Sequence, residues 1–249
     1  LPFTAVMPAS TAKRKIEMIR FYGGECHFVA DPCQLYSESE RLARELNGHS
    51  MDQFTYAERA TDWRGNNNIA ESIFRQMAHE PFPVPHTLIM SAGTGGTSAT
   101  LGRYIRFQGH DSRLLVVDPQ HSVFFDFWHS RDSALRSDRG SMIEGIGRPR
   151  VEPSFLPDVI DEMIKVPDGA TVAAMLQLEK ILGRRPGAST GTNFWGMLQV
   201  AKRMRENGEQ GSLVTLLCDS GDRYPDTYYN PEWVAQHIGD IQPWLREMQ

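Results

Sequence analysis

The sequence predicts an α/β protein built on parallel sheets, and three observations carry that expectation. Short apolar strands alternate with helical stretches of ten or more residues. The run "SLVTLLC" (212–218) is continuously apolar, as in a strand covered on both faces. A third stretch, "LIMSAGTGGTSATLGRYIR" (88–106), passes from strand to glycine loop to helix without a linker.

Taken in order, residues 3–7 read as a strand and 11–22 as a helix stopped by Gly23 and Gly24. Residues 26–29 form a second short strand. Asp31 can cap a helix running through Leu46, ended by Asn47 and Gly48. Residues 51–68 lack a period and read as a long working loop. A helix follows, with Ile69, Ile73 and Met77 on one face. Strand Thr87–Ser91, the glycine loop, a helix over 97–107 and a strand over 114–118 come next. Residues 124–150 read as irregular; 159–164, 170–182 and 192–207 read as helices. The apolar strand 212–218 closes the series, and no internal repeat is present.

Composition narrows the function. The 249 residues are 40% hydrophobic and 23% charged, with a net charge of −5, which argues against a nucleic-acid or anionic-membrane surface. Any phosphate must be held locally. Cys26, Cys33 and Cys218 lack the spacing of a disulfide framework or a zinc site, so a reducing cytoplasm is expected. No apolar run is long enough to span a bilayer, and no signal peptide is visible. The chain opens on "LPFTAVMP", inside an apparent strand and without an initiator Met, and so reads as the later part of a longer polypeptide.

The glycine loop is the strongest chemical signal. A strand ending in glycines and feeding a helix presents unpaired N–H groups and a positive dipole end to an anion. Gly93, Gly95 and Gly96 allow close approach, while Thr94 and Thr97 add hydroxyls. Which phosphate is bound stays open on these residues alone. The dinucleotide pattern G-x-G-x-x-G is nearly met, with Ser98 in place of the third Gly and Asp118 where a ribose-binding acid belongs. A nicotinamide-dependent oxidoreductase is therefore a rival reading. The Walker pattern fails for want of Gly-Lys-Ser/Thr.

Six segments then occur in the order of one family: "AVMPASTAKRKIEMIRFYGGE" (5–25), "DQF" (52–54) with "NNN" (66–68), the glycine loop, "EGIG" (144–147), "STGTN" (189–193) and "CDSGDRY" (218–224). Together they resemble the cysteine synthase and cystathionine β-synthase group of fold-type II pyridoxal-phosphate (PLP) enzymes, which are tryptophan synthase β-like. The resemblance covers nearly the whole chain. It implies two α/β domains with mainly parallel sheets, residues 1–54 being the remainder of the smaller, mobile one and 55–249 the larger, phosphate-binding one.

The same resemblance implies that PLP phosphate sits on Gly93, Thr94, Gly95, Gly96 and Thr97. It assigns Ser220 to the pyridine nitrogen, although neighbouring Asp219 also competes for that role; alternation lets only one of them face the ring. Gln53 would help hold the substrate carboxylate, and Gly145, with Gly147, would let the backbone approach cofactor and substrate. Residues 189–191 are a weaker candidate, since a helix cap explains them as well.

The implied reaction is β-elimination or β-replacement on a cysteine- or serine-type amino acid, with sulfide as a partner, in a homodimer of amino-acid metabolism. "EGIGRPRVEPSF" and "NFWGML" lean toward the cysteine desulfhydrase branch. The family's Schiff-base lysine is expected upstream. Lys13, Lys15, Lys165, Lys180 and Lys202 match no such position, so the chain carries no catalytic residue of that kind and is not expected to act alone.

Other matches carry less. "GASTG" (187–191) fits the hydrolase nucleophile elbow but lacks the preceding strand and the later Asp and His partners. "STAK" (10–13) lacks the companion segments of serine acyltransferases. Cys26, His27 and Cys33 are too loosely spaced for zinc. Cys218, expected on a buried strand, reads as inert packing. Arg148, beside "EGIG", is a surface charge with some prospect of meeting substrate.

Overall fold

The computed structural model describes residues 1–249 apart from 10, 12, 32, 33 and 249, and apart from the side chain of Arg14. Ser10 of the "STAK" match and Cys33 therefore lie outside the described residues. The chain divides into two compact units, Leu1–Asp52 and Gln53–Gln249.

The first unit holds β1 (Thr4–Pro8), α1 (Lys13–Phe21), β2 (Glu25–Val29) and α2 (Leu35–Glu45). The two strands pair in parallel from Thr4↔Glu25 to Pro8↔Val29. The turn after α1 is made by Gly23, whose φ of 81° is left-handed.

The second unit holds α3 (Gln53–Tyr56), α4 (Ile69–Met77), β3 (Thr87–Ser91), α5 (Gly96–Gln108), β4 (Arg113–Pro119), α6 (Phe124–Ser130), β5 (Glu162–Val166), α7 (Asp168–Leu182), α8 (Ala188–Asn207), β6 (Leu213–Thr215), α9 (Pro231–His237) and α10 (Gln242–Glu247). Its sheet runs β5-β4-β3-β6, every pair parallel. Strand alternation splits the core in two. Leu88, Met90, Leu114 and Val116 pack with Ile73, Phe74, Leu101 and Ile105 of α4 and α5. Ile89, Leu115 and Val117 pack with Ala170, Ala174, Phe194 and Trp195 of α7 and α8. A sheet covered on both faces explains the unbroken apolar strands.

Three expectations need correction. Residues 159–164 are not a helix: the stretch is a 3₁₀ turn followed by β5, whose register runs from Leu115↔Glu162 to Pro119↔Val166. The open edge of β4 supplies backbone partners that a six-residue stretch cannot find by itself. The strand foreseen over 212–218 pairs with β3 over Leu213–Thr215, with the Ser212 carbonyl accepting the His86 N–H at 2.9 Å just before it. Past it the Leu216 carbonyl accepts from Asn193 Nδ2 at 3.3 Å and the chain leaves the ladder. The region foreseen as irregular opens with α6, because the Asp118 carboxylate takes the Phe125 N–H at 2.8 Å and starts that helix.

Candidate functional site

β3 delivers the chain to the glycine loop, and α5 carries it away. Gly95 holds a φ of +90°, a conformation closed to most side chains. The glycines also admit three other backbones. A Cβ on Gly93 would lie 2.3 Å from the Gly145 carbonyl oxygen, one on Gly95 2.7 Å from Phe155 Cα, and one on Gly96 2.9 Å from the Ala57 carbonyl oxygen. Ser98 is buried, and its hydroxyl turns back to the Gly95 carbonyl at 2.9 Å. The residue standing in for the third glycine of the dinucleotide pattern thus serves its own helix.

Thr97 is exposed at the first turn of α5, and Thr94 is half-buried beside it. Among the described contacts no protein acceptor meets the backbone N–H of Thr97 or Ser98. Open first-turn amides, a thirteen-residue helix dipole and two adjacent hydroxyls make a donor set suited to a phosphate monoester. The residues present fit the phosphate of PLP.

Around the loop stand the other predicted segments. Gly145 and Gly147 hold φ values of +87° and +69°, and the Gly147 N–H donates to the Ala92 carbonyl at 2.8 Å. The Glu144 N–H donates to the Tyr228 hydroxyl at 2.8 Å, fixing the far end of that turn. Gln53 opens α3 with its side chain exposed, one residue ahead of Phe54, whose carbonyl accepts from Ser154 N–H at 3.0 Å. Ser154 Oγ also donates to the Thr94 carbonyl. The loop, the Gly145–Gly147 turn and the Gln53 helix are therefore brought together. Ser154 was missed in the sequence because it lies in an aperiodic stretch, where no pattern marks a buried hydroxyl.

The "NNN" segment is largely committed to structure. Asn68 caps α4 by accepting the Glu71 N–H at 3.0 Å, and its amide group donates to the Asp62 and Gly65 carbonyls.

At the "CDSGDRY" segment the structure separates Asp219 from Ser220. Asp219 Oδ2 accepts the Tyr224 hydroxyl at 2.6 Å, and its backbone carbonyl accepts the Gly187 N–H at the start of α8. Burial, then the Asp219 carboxylate, push the Tyr224 phenol above its ordinary range. Ser220 is exposed, accepts from the Asp222 N–H at 3.3 Å and donates to Asp222 Oδ2 at 2.9 Å. No hydrogen bond of Ser220 reaches the glycine loop among the described residues. Ile143, Ile146 and Ala188 belong to one apolar cluster. Cys218 is exposed, contrary to the expectation of a buried packing thiol, because the chain has already left the ladder. Thr190 and Thr192 of "STGTN" are buried: Thr190 Oγ1 accepts from Cys218 N–H, and Thr192 Oγ1 meets Thr171 Oγ1.

Asp118, the acid of the dinucleotide reading, is 1% exposed and turned inward onto α6. Burial pushes its carboxyl up to about 7, against hydrogen bonds from Ser122 and Phe125. It is not placed to meet a ribose. Among the described residues no group of His, Cys, Asp or Glu could hold a metal ion, and no helix is long and apolar enough to cross a membrane.

Comparison with known proteins bears on the family and the fold. The chain is 57% identical over 235 residues to L-cysteine desulfhydrase Cds1 of Mycobacterium tuberculosis, covering 94% of this chain and 64% of that protein. It is 26% identical to cysteine synthase 1 of Neurospora crassa, covering 92% and 61% respectively. It thus spans less than two thirds of the length of these curated relatives. Among solved structures, a hydrogen sulfide-producing enzyme from Fusobacterium nucleatum superposes with a TM-score of 0.76 at 20% identity, over 98% of this chain and 70% of that one. An O-ureido-L-serine synthase gives a TM-score of 0.74 at 19% identity, over 98% and 72%. At such identities the likeness speaks for the fold. A family model described as pyridoxal-phosphate dependent enzyme matches residues 1–219. Open helix amides, glycine-bound close approaches and this match agree, and the chain belongs to the pyridoxal-phosphate-dependent enzyme family.

Proposed function

We propose that this chain carries the phosphate- and substrate-holding parts of an enzyme that performs β-elimination or β-replacement on a cysteine- or serine-type amino acid. The desulfhydrase direction, releasing sulfide from cysteine, is favoured by the 57% identity to a protein named for that activity. The observation that carries the site is the pair of unpartnered amides at Thr97 and Ser98, opening toward an exposed hydroxyl. When bound, the pyridoxal ring supplies an electron sink for charge developing at the substrate α-carbon.

The chain's own residues have distinct tasks in this proposal. The amides and hydroxyls over 93–97 hold the phosphate. Ser220 offers its hydroxyl to the ring nitrogen, and a neutral hydroxyl there keeps the sink weak enough to favour loss of a β-substituent. Gln53 donates to the substrate carboxylate, and Gly145 lets the backbone lie close to the bound substrate. Lys165 is paired with Asp126 at 2.7 Å, and Lys180 and Lys202 are exposed on α7 and α8. The amine that takes up the cofactor aldehyde is therefore proposed to come from polypeptide beyond these residues. The unit Gln53–Gln249 would be the phosphate-binding domain and Leu1–Asp52 part of the smaller one. A cytoplasmic homodimer is proposed with it.

The test is intact mass of the full-length enzyme, loaded with PLP, with and without borohydride reduction, alongside sulfide and pyruvate release from L-cysteine. One reduced phosphopyridoxyl adduct with sulfide release is expected. An adduct without sulfide or pyruvate would move the reading to synthesis from a serine-type substrate. No adduct would sink it.

A further inference from the structure

One arrangement beside the loop is not explained by phosphate binding. Arg148 directly follows Gly147, and its Nε donates to Glu152 Oε1 at 3.0 Å. The same guanidinium lies over the Phe54 ring, 4.1 Å from its centroid. Its backbone N–H donates to Ser122 Oγ at 3.0 Å, so both ends of the residue are held. Glu152 is 2% exposed and also accepts from Arg150 Nε at 3.1 Å. A carboxylate buried to that degree must keep its cationic partners, which holds the guanidinium that lies over the Phe54 ring. Phe54 is tied on its other side through Ser154, which also bonds the Thr94 carbonyl. Arg103 of α5 secures the same segment further along, reaching the Glu58 carbonyl and carboxylate at 2.7 Å.

We infer that Arg148 is a positioning residue: stacked on Phe54 and oriented by Glu152, it sets Gln53 in place relative to the 93–97 loop. It couples the holding of substrate carboxylate to the holding of cofactor phosphate, without touching either. The inference rests on the functional reading above. The guanidinium meets the Phe54 face and the Glu152 carboxylate at once, a combination that suits Arg at this position.

The experiment is hydrogen–deuterium exchange on the full-length holoenzyme, with Arg148→Met and Phe54→Leu made singly and together. In Arg148→Met, amides of residues 53–57 should exchange roughly tenfold faster while those of β3 and β4 stay unchanged. KM for L-cysteine should rise roughly tenfold with kcat within about threefold, and the yield of reduced adduct should be retained. Phe54→Leu should loosen the same amides, and the double variant should add little beyond either single change. Unchanged exchange over 53–57, acceleration spread through β3 and β4, or additive effects would each overturn the inference. Should Arg148→Met not fold, Phe54→Leu alone decides by the same exchange readout. A wild-type enzyme that releases neither sulfide nor pyruvate would count against the functional reading, while the exchange result still decides the strut.

Discussion

Two long helices begin beside the same parallel sheet, and what surrounds their starts differs. α5 opens on Gly95 and Gly96 with the Thr97 and Ser98 amides unanswered by protein. α8 opens on Gly187 with Asp219 drawn against it: a Cβ there would fall 1.9 Å from Asp219 Oδ1. The Thr190 hydroxyl of α8 is taken by the Cys218 N–H at 2.9 Å. Both starts carry small and hydroxyl-bearing residues, and both matched functional patterns in the sequence, one for binding and one for catalysis. The α8 start has the Asp219 side chain packed against Gly187 and the Asp219 carbonyl on the Gly187 N–H; the α5 start has Thr97 exposed. A helix start is suited to an anion where small residues and exposed hydroxyls leave room beside its donors.

The largest effect should come from Gly95→Ala. The residue holds a left-handed φ, and its Cβ would press on Phe155 Cα, so a cost of at least about 3 kcal/mol is expected. Thermal melting would register it, and the reduced PLP adduct should disappear from whatever remains folded. An adduct at wild-type yield would break the comparison.

Asp118 tests whether a third position by the sheet, after β4, is closed. Its native carboxyl is raised to about 7, so between about 4 and 7 the folded state binds the proton more tightly than the unfolded chain. The stability contributed by this group is present at low pH and is lost as pH rises through that window. Relative to wild type, Asp118→Asn should flatten that fall by roughly 1–3 kcal/mol across the window in denaturant titrations. Coincident curves would show that the carboxylate is solvated.

Asp219→Asn sharpens the contrast at α8. It weakens the anion at that helix start and the bond from the Tyr224 hydroxyl, for a loss of about 1–2 kcal/mol. PLP affinity should hold within about threefold, because the phosphate would lie on α5. A collapse of cofactor binding would place Asp219, not Ser220, against the ring.

The smallest stability change belongs to Ser220→Ala. Its exposed hydroxyl caps one 3₁₀ turn, so the cost should stay near 0.5–1 kcal/mol. Sulfide release by the holoenzyme should nevertheless fall about tenfold. Full activity would remove Ser220 from the ring nitrogen.

The glycine loop was legible in the sequence because its requirement is local: strand, glycines and helix are contiguous, and the anion logic needs nothing distant. The order of the six family segments was equally readable. β5 was not, since "EMIKV" is too short to declare a period and became a strand only by pairing with β4. The exposure of Cys218 was likewise hidden, because where β6 ends depends on a side chain 23 residues earlier, the Asn193 amide reaching the Leu216 carbonyl.

By itself the sequence determined an α/β chain on parallel sheets, a phosphate-suited loop at 93–97 and the family to which these belong. Apolar period, glycine placement and segment order all act within a few residues or survive as patterns. Tertiary structure alone decided that Asp219 bonds Tyr224 and Gly187 while the exposed Ser220 bonds Asp222, and that Asp118 is buried. It also decided that the glycines yield to Gly145, Phe155 and Ala57, and that Arg148 stacks on Phe54. Each of these is a meeting of side chains or backbones from segments distant in sequence, set by packing that no local pattern encodes.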